Sequence, residues 1–305
     1  MPEESVAHLI TNTSGTYVDC TLGGGGHSEL FLNTLVTGGR VIGIDADADA
    51  IAYATERLKR FENFDVRQTF YDQLDVVLYE LMAIPVDGVY FDLGISSYQI
   101  DEPERGFAFR TDSPLDMRFD QRQRLNAETI VNDYSQDDLG IVIRNYGEER
   151  HWRAIARDIV EHRRGERLTR SGELVEIVRN ITGERFLNKS LARVFQALRI
   201  EVNRELERLE DALQKAYDAL RKDGRLVVIS YHSLEDRIVK RFMKEKQLDC
   251  ICPPIFPVCR CDKVREVKIL KRGVVATEEE VKTNPRARSA RMRVARKLTE
   301  YQEMG

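Results

Sequence analysis

Four glycines in a row, at positions 23–26, separate an apolar strand pattern at 17–20 from an amphipathic helical pattern at 28–35. Few folds accommodate a strand that breaks at such a run and re-enters as a helix. Glycine tolerates the left-handed turn, lets the backbone come close to a ligand, and leaves the first helical N–H groups open to it. A second apolar strand at 40–45 ends in Asp45. That acid follows the glycines by roughly twenty residues, a spacing at which a strand-end carboxylate reaches the hydroxyls of a ribose. A nucleoside-containing cofactor over the edge of an α/β sheet is therefore expected.

The strand–helix rhythm continues: a helix at 49–61 with Ile51, Ala54 and Leu58 on one side, a short strand at 66–69, a helix at 74–82 and a strand at 86–92. Apolar strands alternating with crossover helices predict a parallel sheet covered on both faces. From 105 to 187 no strand pattern occurs. Ile130 and Val131 share one short helical pattern, and Ser135 followed by Asp138 resembles a helix N-cap. Trp152, Ile155, Ala156, Ile159 and Val160 recur at helical spacing, as do Leu174, Ile177, Val178 and Ile181. A stripe from Leu191 through Leu198, Val202 and Leu209 to Leu213 predicts one long helix ending near Asp223 and Gly224. Strands are expected at 225–230, 264–270 and 290–295. The predicted organisation is an α/β domain formed by 1–104 and 188–305, interrupted by an all-helical domain at 105–187.

Several cofactors can be set aside. Counted from Gly23, the third glycine of a nicotinamide fingerprint falls on Ser28, and no phosphate-loop Gly-Lys-Ser/Thr follows. A strand, a glycine-rich turn, a helix and a second strand ending in an acid fit S-adenosylmethionine. The turn would hold its amino-acid end and Asp45 its ribose.

No apolar run has the length of a membrane span and the start of the chain lacks a signal-peptide pattern, so a cytoplasmic protein is expected. The net charge of −4 hides a local run. Between Arg286 and Lys297 six of twelve residues are basic and none is acidic, which reads either as a solvated face or as a nucleic-acid contact. Arg144, Arg150, His151, Arg153, Arg157, Arg163 and Arg164 cluster in the helical segment. Cys20 reads as a small core residue. Cys250, Cys252, Cys259 and Cys261 form two Cys-x-Cys pairs, readable as zinc ligands or as reduced thiols in a proline-stiffened loop.

Five stretches and one single residue now carry a resemblance: 19–27 (DCTLGGGGH), 91–97 (FDLGISS) with Gln99, 114–118 (PLDMR), 195–199 (FQALR) and 230–237 (SYHSLEDR). In sequence and order they resemble the ribosomal RNA small subunit methyltransferase H family, across nearly the whole chain. The resemblance implies a class I, Rossmann-like S-adenosylmethionine-dependent methyltransferase sheet with an inserted helical domain. It also implies methyl transfer to the N4 amine of a cytidine in the decoding centre of 16S rRNA within the small ribosomal subunit. It assigns Gly25, Gly26 and His27 to the methionine part of the cofactor, Asp45 to the ribose, and Tyr71 to the adenine, where the family commonly has phenylalanine. Asp92 and Gln99 complete the pocket. A paired-cysteine loop occurs in only some members, so it is not expected to serve the core chemistry, and no metal is assigned to the site.

A cytosine amine is a poor nucleophile, because its lone pair is delocalised into the ring. An acceptor oxygen aimed at its N–H groups would orient it and stabilise the charge that develops on nitrogen. Asp92, Ser96 and Ser97, with the carbonyls of Leu93 and Gly94, stand where ligands bind such sheets. His232, after the strand at 226–229, should open onto the same edge, either tying down its loop or touching the base. Phe107, Phe109 and Tyr98 are candidates to stack on a flipped base or to pack between domains. Asp116 and Arg118 could position RNA or brace the insertion. The competing readings are an RNA-binding assembly factor that has kept the fold, and a methyltransferase acting on DNA or a small molecule.

Overall fold

In a computed structural model of the chain, residues 1–253 and 258–301 are described, without the side chains of Ser97 and Tyr98. Two compact units emerge: Met1–Gly94 with Leu206–Gly305, and Ile95–Glu205.

The first unit opens with α1 (Pro2–Leu9), β1 (Thr16–Asp19), α2 (Gly26–Thr34), β2 (Arg40–Asp45), α3 (Ala48–Leu58) and β3 (Phe64–Gln68). A 3-10 turn at Tyr71–Gln73, α4 (Leu74–Glu80) and β4 (Val86–Asp92) follow. The second unit carries α5 (Ser97–Asp101), α6 (Ala127–Asp133), α7 (Gln136–Gly147), α8 (Trp152–His162), α9 (Ser171–Thr182) and α10 (Glu184–Asn203). The chain then returns through α11 (Glu205–Ala219), β5 (Leu220–Ser230), α12 (Ser233–Gln247), β6 (Val267–Val275), α13 (Glu278–Thr283) and β7 (Arg291–Lys297).

The sheet has the order β3-β2-β1-β4-β5-β7-β6. Strands β1 to β5 are mutually parallel, and β7 runs antiparallel to both β5 and β6. This is the α/β class I methyltransferase sheet that the resemblance implied. Successive strand residues serve opposite faces. Val18, Ile42, Val89, Phe91 and Val228 pack with α4, α11 and α12, while Tyr17, Val41, Tyr90, Val227 and Ile229 pack with α1, α2 and α3. Both faces are covered, which is why these strands read as unbroken apolar runs.

Two expectations are corrected. The stripe from Leu191 to Leu213 is two helices: Arg204 takes a left-handed conformation, φ 50°, between α10 and α11. Leu191, Val194 and Leu198 belong to the helical core, whereas Leu209 and Leu213 belong to the sheet core. Hence α10 stays with the helical unit, which spans Ile95–Glu205 where 105–187 was expected. Second, α11 ends at Ala219 and Gly224 lies inside β5, within a local irregularity of its pairing with β4. One helix was not expected from sequence: α1 has no strong apolar periodicity. Its signals are a proline in the first turn and the acids Glu3 and Glu4, which suit a helix N-terminus. Ser135 does cap α7, its side chain accepting from the Asp138 N–H. Among the described residues no helix is long and apolar enough to cross a membrane.

Candidate active site

Parallel register brings the ends of β1, β2, β4 and β5 to one edge of the sheet. Asp19 pairs with Gly43 on one side and Tyr90 on the other, and Asp92 with Ile229. The glycine turn lies above this edge. Gly25 caps α2 at φ 74°, and a Cβ there would stand 3.1 Å from Leu58 Cδ1 and 3.2 Å from the Ala54 methyl. Gly26 is the first residue of α2 and His27 the second, so their N–H groups belong to the open first turn.

Two carboxylates hold the turn. Asp45 Oδ2 accepts from the Gly23 N–H at 2.7 Å, and Oδ1 accepts from the Asp47 N–H at 2.9 Å. Burial pushes its pKa up to about 6, against the lowering effect of these backbone donors. Asp19, fully buried, accepts from the Ser28 hydroxyl at 2.7 Å and from the Thr21 N–H at 3.2 Å. Burial raises its pKa to about 7, outweighing both hydrogen bonds. Each carboxylate has lone pairs to spare, and those of half-buried Asp45 can reach an incoming hydroxyl.

Asp92 is the centre of a second network. Its Oδ2 lies 3.5 Å from His27 Nδ1, and its Oδ1 accepts from the Tyr231 hydroxyl at 2.8 Å. Burial raises the Asp92 pKa, while His27 and the Tyr231 hydroxyl act in the opposite sense. The His27 ring tilts against Tyr90, centroids 4.9 Å apart, and burial lowers its pKa, favouring neutral imidazole. His27 Nε2 is closed off from solvent with no hydrogen-bond partner. A proton on Nδ1, facing Asp92, leaves Nε2 an acceptor.

Tyr71 sits on the 3-10 turn after β3 and meets Phe91 edge-on at 5.8 Å. The turn is tied to α11: Arg208 reaches both Asp72 oxygens at 2.9 and 2.7 Å and lies 3.8 Å over the Phe70 ring.

His232 caps α12. Its Nδ1 accepts from the Glu235 N–H at 3.5 Å, and Glu235 in turn accepts from the backbone N–H groups of Tyr231 and His232. His232 Nε2 lies 3.1 Å from Glu235 Oε1, so the ring serves the start of the helix. Beside it opens a polar cavity of about 410 Å³, lined by Tyr231, His232, Arg237, Lys240, Ser289 and Arg291 among others.

Ser96 and Gln99 belong to the helical unit, where they bond to each other. The Ser96 N–H donates to Gln99 Oε1 at 3.0 Å and the Gln99 N–H to Ser96 Oγ at 3.2 Å, a reciprocal cap on α5. The Ser97 and Tyr98 side chains lie outside the described set. Phe107 stacks on Phe119 at 5.7 Å and Phe109 meets Phe195 edge-on at 5.5 Å, so Phe107 belongs to the core of that unit and half-buried Phe109 packs against it. Arg118 grips Asp116 through two bonds of 2.9 and 2.7 Å and donates to the carbonyls of Gln121 and Gln123, which makes the pair a loop staple.

The basic run proves divided. Arg286, Arg288 and Arg291 are exposed. Arg293 is buried on Asp236, at 2.7 and 2.9 Å, and Lys297 is buried against the carbonyls of Tyr217, Asp218 and Leu220. Exposed Arg291 shares their face of β7, so it is the partner each side chain meets that divides the run, which a count of charges does not reveal. In the helical unit Arg163 is likewise spent on the Val131 and Tyr134 carbonyls. Tyr231 and Asp19 were not singled out from sequence. Tyr231 directly follows a strand end, the position that also recommended His232, and Asp19 ends β1 as Asp45 ends β2.

A model of the MraW methylase family matches residues 1–298. The chain is 47% identical over 300 residues to the ribosomal RNA small subunit methyltransferase H of Clostridium botulinum (strain Kyoto / Type A2), with 97% of each chain covered. It is 45% identical over 298 residues to the protein of that name from Caldicellulosiruptor saccharolyticus, again with 97% of each covered. For the Fusobacterium nucleatum protein the identity is 41% over 297 residues, covering 97% of this chain and 95% of the relative.

Proposed function

Because this chain belongs to the MraW methylase family, we propose that it transfers the methyl group of S-adenosylmethionine to the N4 amine of a cytidine in the decoding centre of 16S rRNA. It is an S-adenosylmethionine-dependent methyltransferase. The base, its position and the small-subunit substrate are our reading, supported by the resemblance and by the relatives' names. The observation that carries it is the pairing of His27 with Asp92 beside a glycine-opened helix start.

The residues present fit the cofactor. The orphaned Nε2 of His27 offers an acceptor beside the free N–H groups of α2, a combination suited to an ammonium and a carboxylate on one carbon. Asp45 retains lone pairs for ribose hydroxyls, and Tyr71 supplies an aromatic face for adenine. When bound, the cofactor supplies a methyl group on a positively charged sulfur.

The protein's part is to hold and orient. Asp92 accepts an N–H of the target amine, which aligns the nitrogen and draws electron density toward it. Nitrogen must shed one proton once it carries the methyl group. Asp92, whose proton affinity burial has raised, takes that proton or passes it to water. His27 and Tyr231 keep Asp92 ionised beforehand and fix its plane. His232 positions this corner of the sheet by capping α12. The cavity with Arg237, Lys240 and Arg291 receives backbone phosphates, which register the RNA without reading its bases.

The test incubates the protein with methyl-labelled S-adenosylmethionine and small ribosomal subunits lacking the modification, then digests the RNA to nucleosides. N4-methylated cytidine is expected, and Asp92→Ala should abolish it while leaving the fold intact. Label in another nucleoside, or undiminished transfer by Asp92→Ala, would overturn the reading.

A further inference from the structure

We propose that Cys250, Cys252, Cys259 and Cys261 form a tetrathiolate zinc site that closes the long connection between α12 and β6. Their four sulfurs all lie within 4.8 Å of one another. Cys259 Sγ is 3.5 Å from Cys261 Sγ, which is 3.9 Å from Cys250 Sγ. Sulfurs on a tetrahedral zinc with bonds of about 2.3 Å stand roughly 3.8 Å apart, so the cluster already has the size of that coordination shell. None of the four is in a disulfide.

Apolar packing does not account for the convergence. Cys259 is exposed and the other three are only half-buried, while Ile251 and Val258 beside them are 65% and 69% exposed. Thiols that gather without a core need another reason to meet. Nor is the short spacing an obstacle. Even in an extended chain the sulfurs of a Cys-x-Cys pair, at i and i+2, lie on the same side. Here the Cys252 N–H also donates to Cys250 Sγ at 3.4 Å, which holds that sulfur close to the backbone of its pair.

The backbone is also arranged for sulfur as an acceptor. The Ile251 N–H donates to Cys261 Sγ at 3.4 Å and the Arg260 N–H to Cys252 Sγ at 3.3 Å, each half of the loop donating to a sulfur of the other. Such donors disperse thiolate charge and orient metal ligands. Four protein ligands leave no open position, so the role is structural. Among the described residues of this connection there is no helix or strand between Gln247 and Val267, and a metal staple would supply the cross-link that regular structure does not.

Metal analysis of untagged protein purified under reducing conditions should find one zinc per chain. Thiol titration of the native protein should then find these four cysteines unreactive, and a strong chelator should release the zinc and expose them. Reloading with cobalt should give the visible bands of tetrahedral cobalt–thiolate. Cys250→Ser/Cys261→Ser should lose the zinc and the cobalt bands, whereas Cys20→Ser should keep both. Chelation of the wild type gives the same readout without mutation, so a misfolded variant would not obscure the result. Reduced protein with four freely reactive thiols and no cobalt bands would overturn the proposal. So would two disulfides in freshly isolated protein, bound iron in place of zinc, or zinc retained by the double variant.

Discussion

His27 Nδ1 stands 3.5 Å from Asp92 Oδ2, and the same ring leaves its Nε2 buried without a partner. The imidazole thus faces the carboxylate with one nitrogen and keeps the other for a ligand. His27→Phe preserves the tilted ring contact with Tyr90 and removes both nitrogens. Loss of one hydrogen bond to a charged ligand group should weaken S-adenosylmethionine or S-adenosylhomocysteine binding about tenfold in calorimetry. An unchanged affinity would remove His27 from the cofactor site.

Tyr231 donates to Asp92 at 2.8 Å, which favours the ionised carboxylate against the burial that raises its pKa. Tyr231→Phe removes that donor, so the Asp92 pKa rises further. The acid limb of the pH–rate profile should move to higher pH by roughly one unit, with activity recovering at alkaline pH. A uniform loss at every pH would mean that the hydroxyl acts by some other route.

Gly25 combines a left-handed backbone with no room for a methyl group, the nearest atoms being 3.1 and 3.2 Å from the Cβ position. Gly25→Ala should cost about 1–2 kcal/mol in urea unfolding from the backbone alone, and should weaken cofactor binding further by shifting the turn. Gly24, with 3.6 Å of clearance to Tyr53 and no positive φ, should tolerate alanine better.

Asp19 makes a test in pH. Its folded pKa, about 7, lies above the ordinary carboxyl value of 3.8. The folded state therefore binds the proton more tightly than the unfolded chain does. Below pH 3.8 both states hold it and there is no penalty; between pH 3.8 and about 7 the penalty grows, and above that it is complete. Asp19→Asn removes the titration. The stability of the variant relative to wild type should rise across that window and stay level above it, as read from melting midpoints at a series of pH values. A difference independent of pH would show that Asp19 titrates normally.

How much of this could be read in advance depended on which forces decide each feature. The strands β1, β2, β4 and β5 were legible because burial on both faces leaves unbroken apolar runs, and their ends located Asp45 and Asp92. The break at Arg204 was not, because Leu198 and Leu209 continue one periodicity while packing into different cores. The division of the basic run depends on β7 having Asp236 and the carbonyls at the end of α11 as neighbours, and these are distant in sequence. Hydrogen-bond partners were least legible. That Tyr231 meets Asp92 follows from the pairing of β4 with β5, whose residues the helical unit separates along the chain.

The place of β7 bears on how the molecule is made. Residues 95–205 form a continuous segment and can pack as soon as they leave the ribosome. The sheet cannot finish then, because β7, late in the chain, fits between β5 and β6. Until Arg291–Lys297 emerge, the hydrogen-bonding edge of β5 stays bare. Nascent chains stalled short of that segment should pair with one another through that edge and demand chaperone protection, even though their helical portion is already folded.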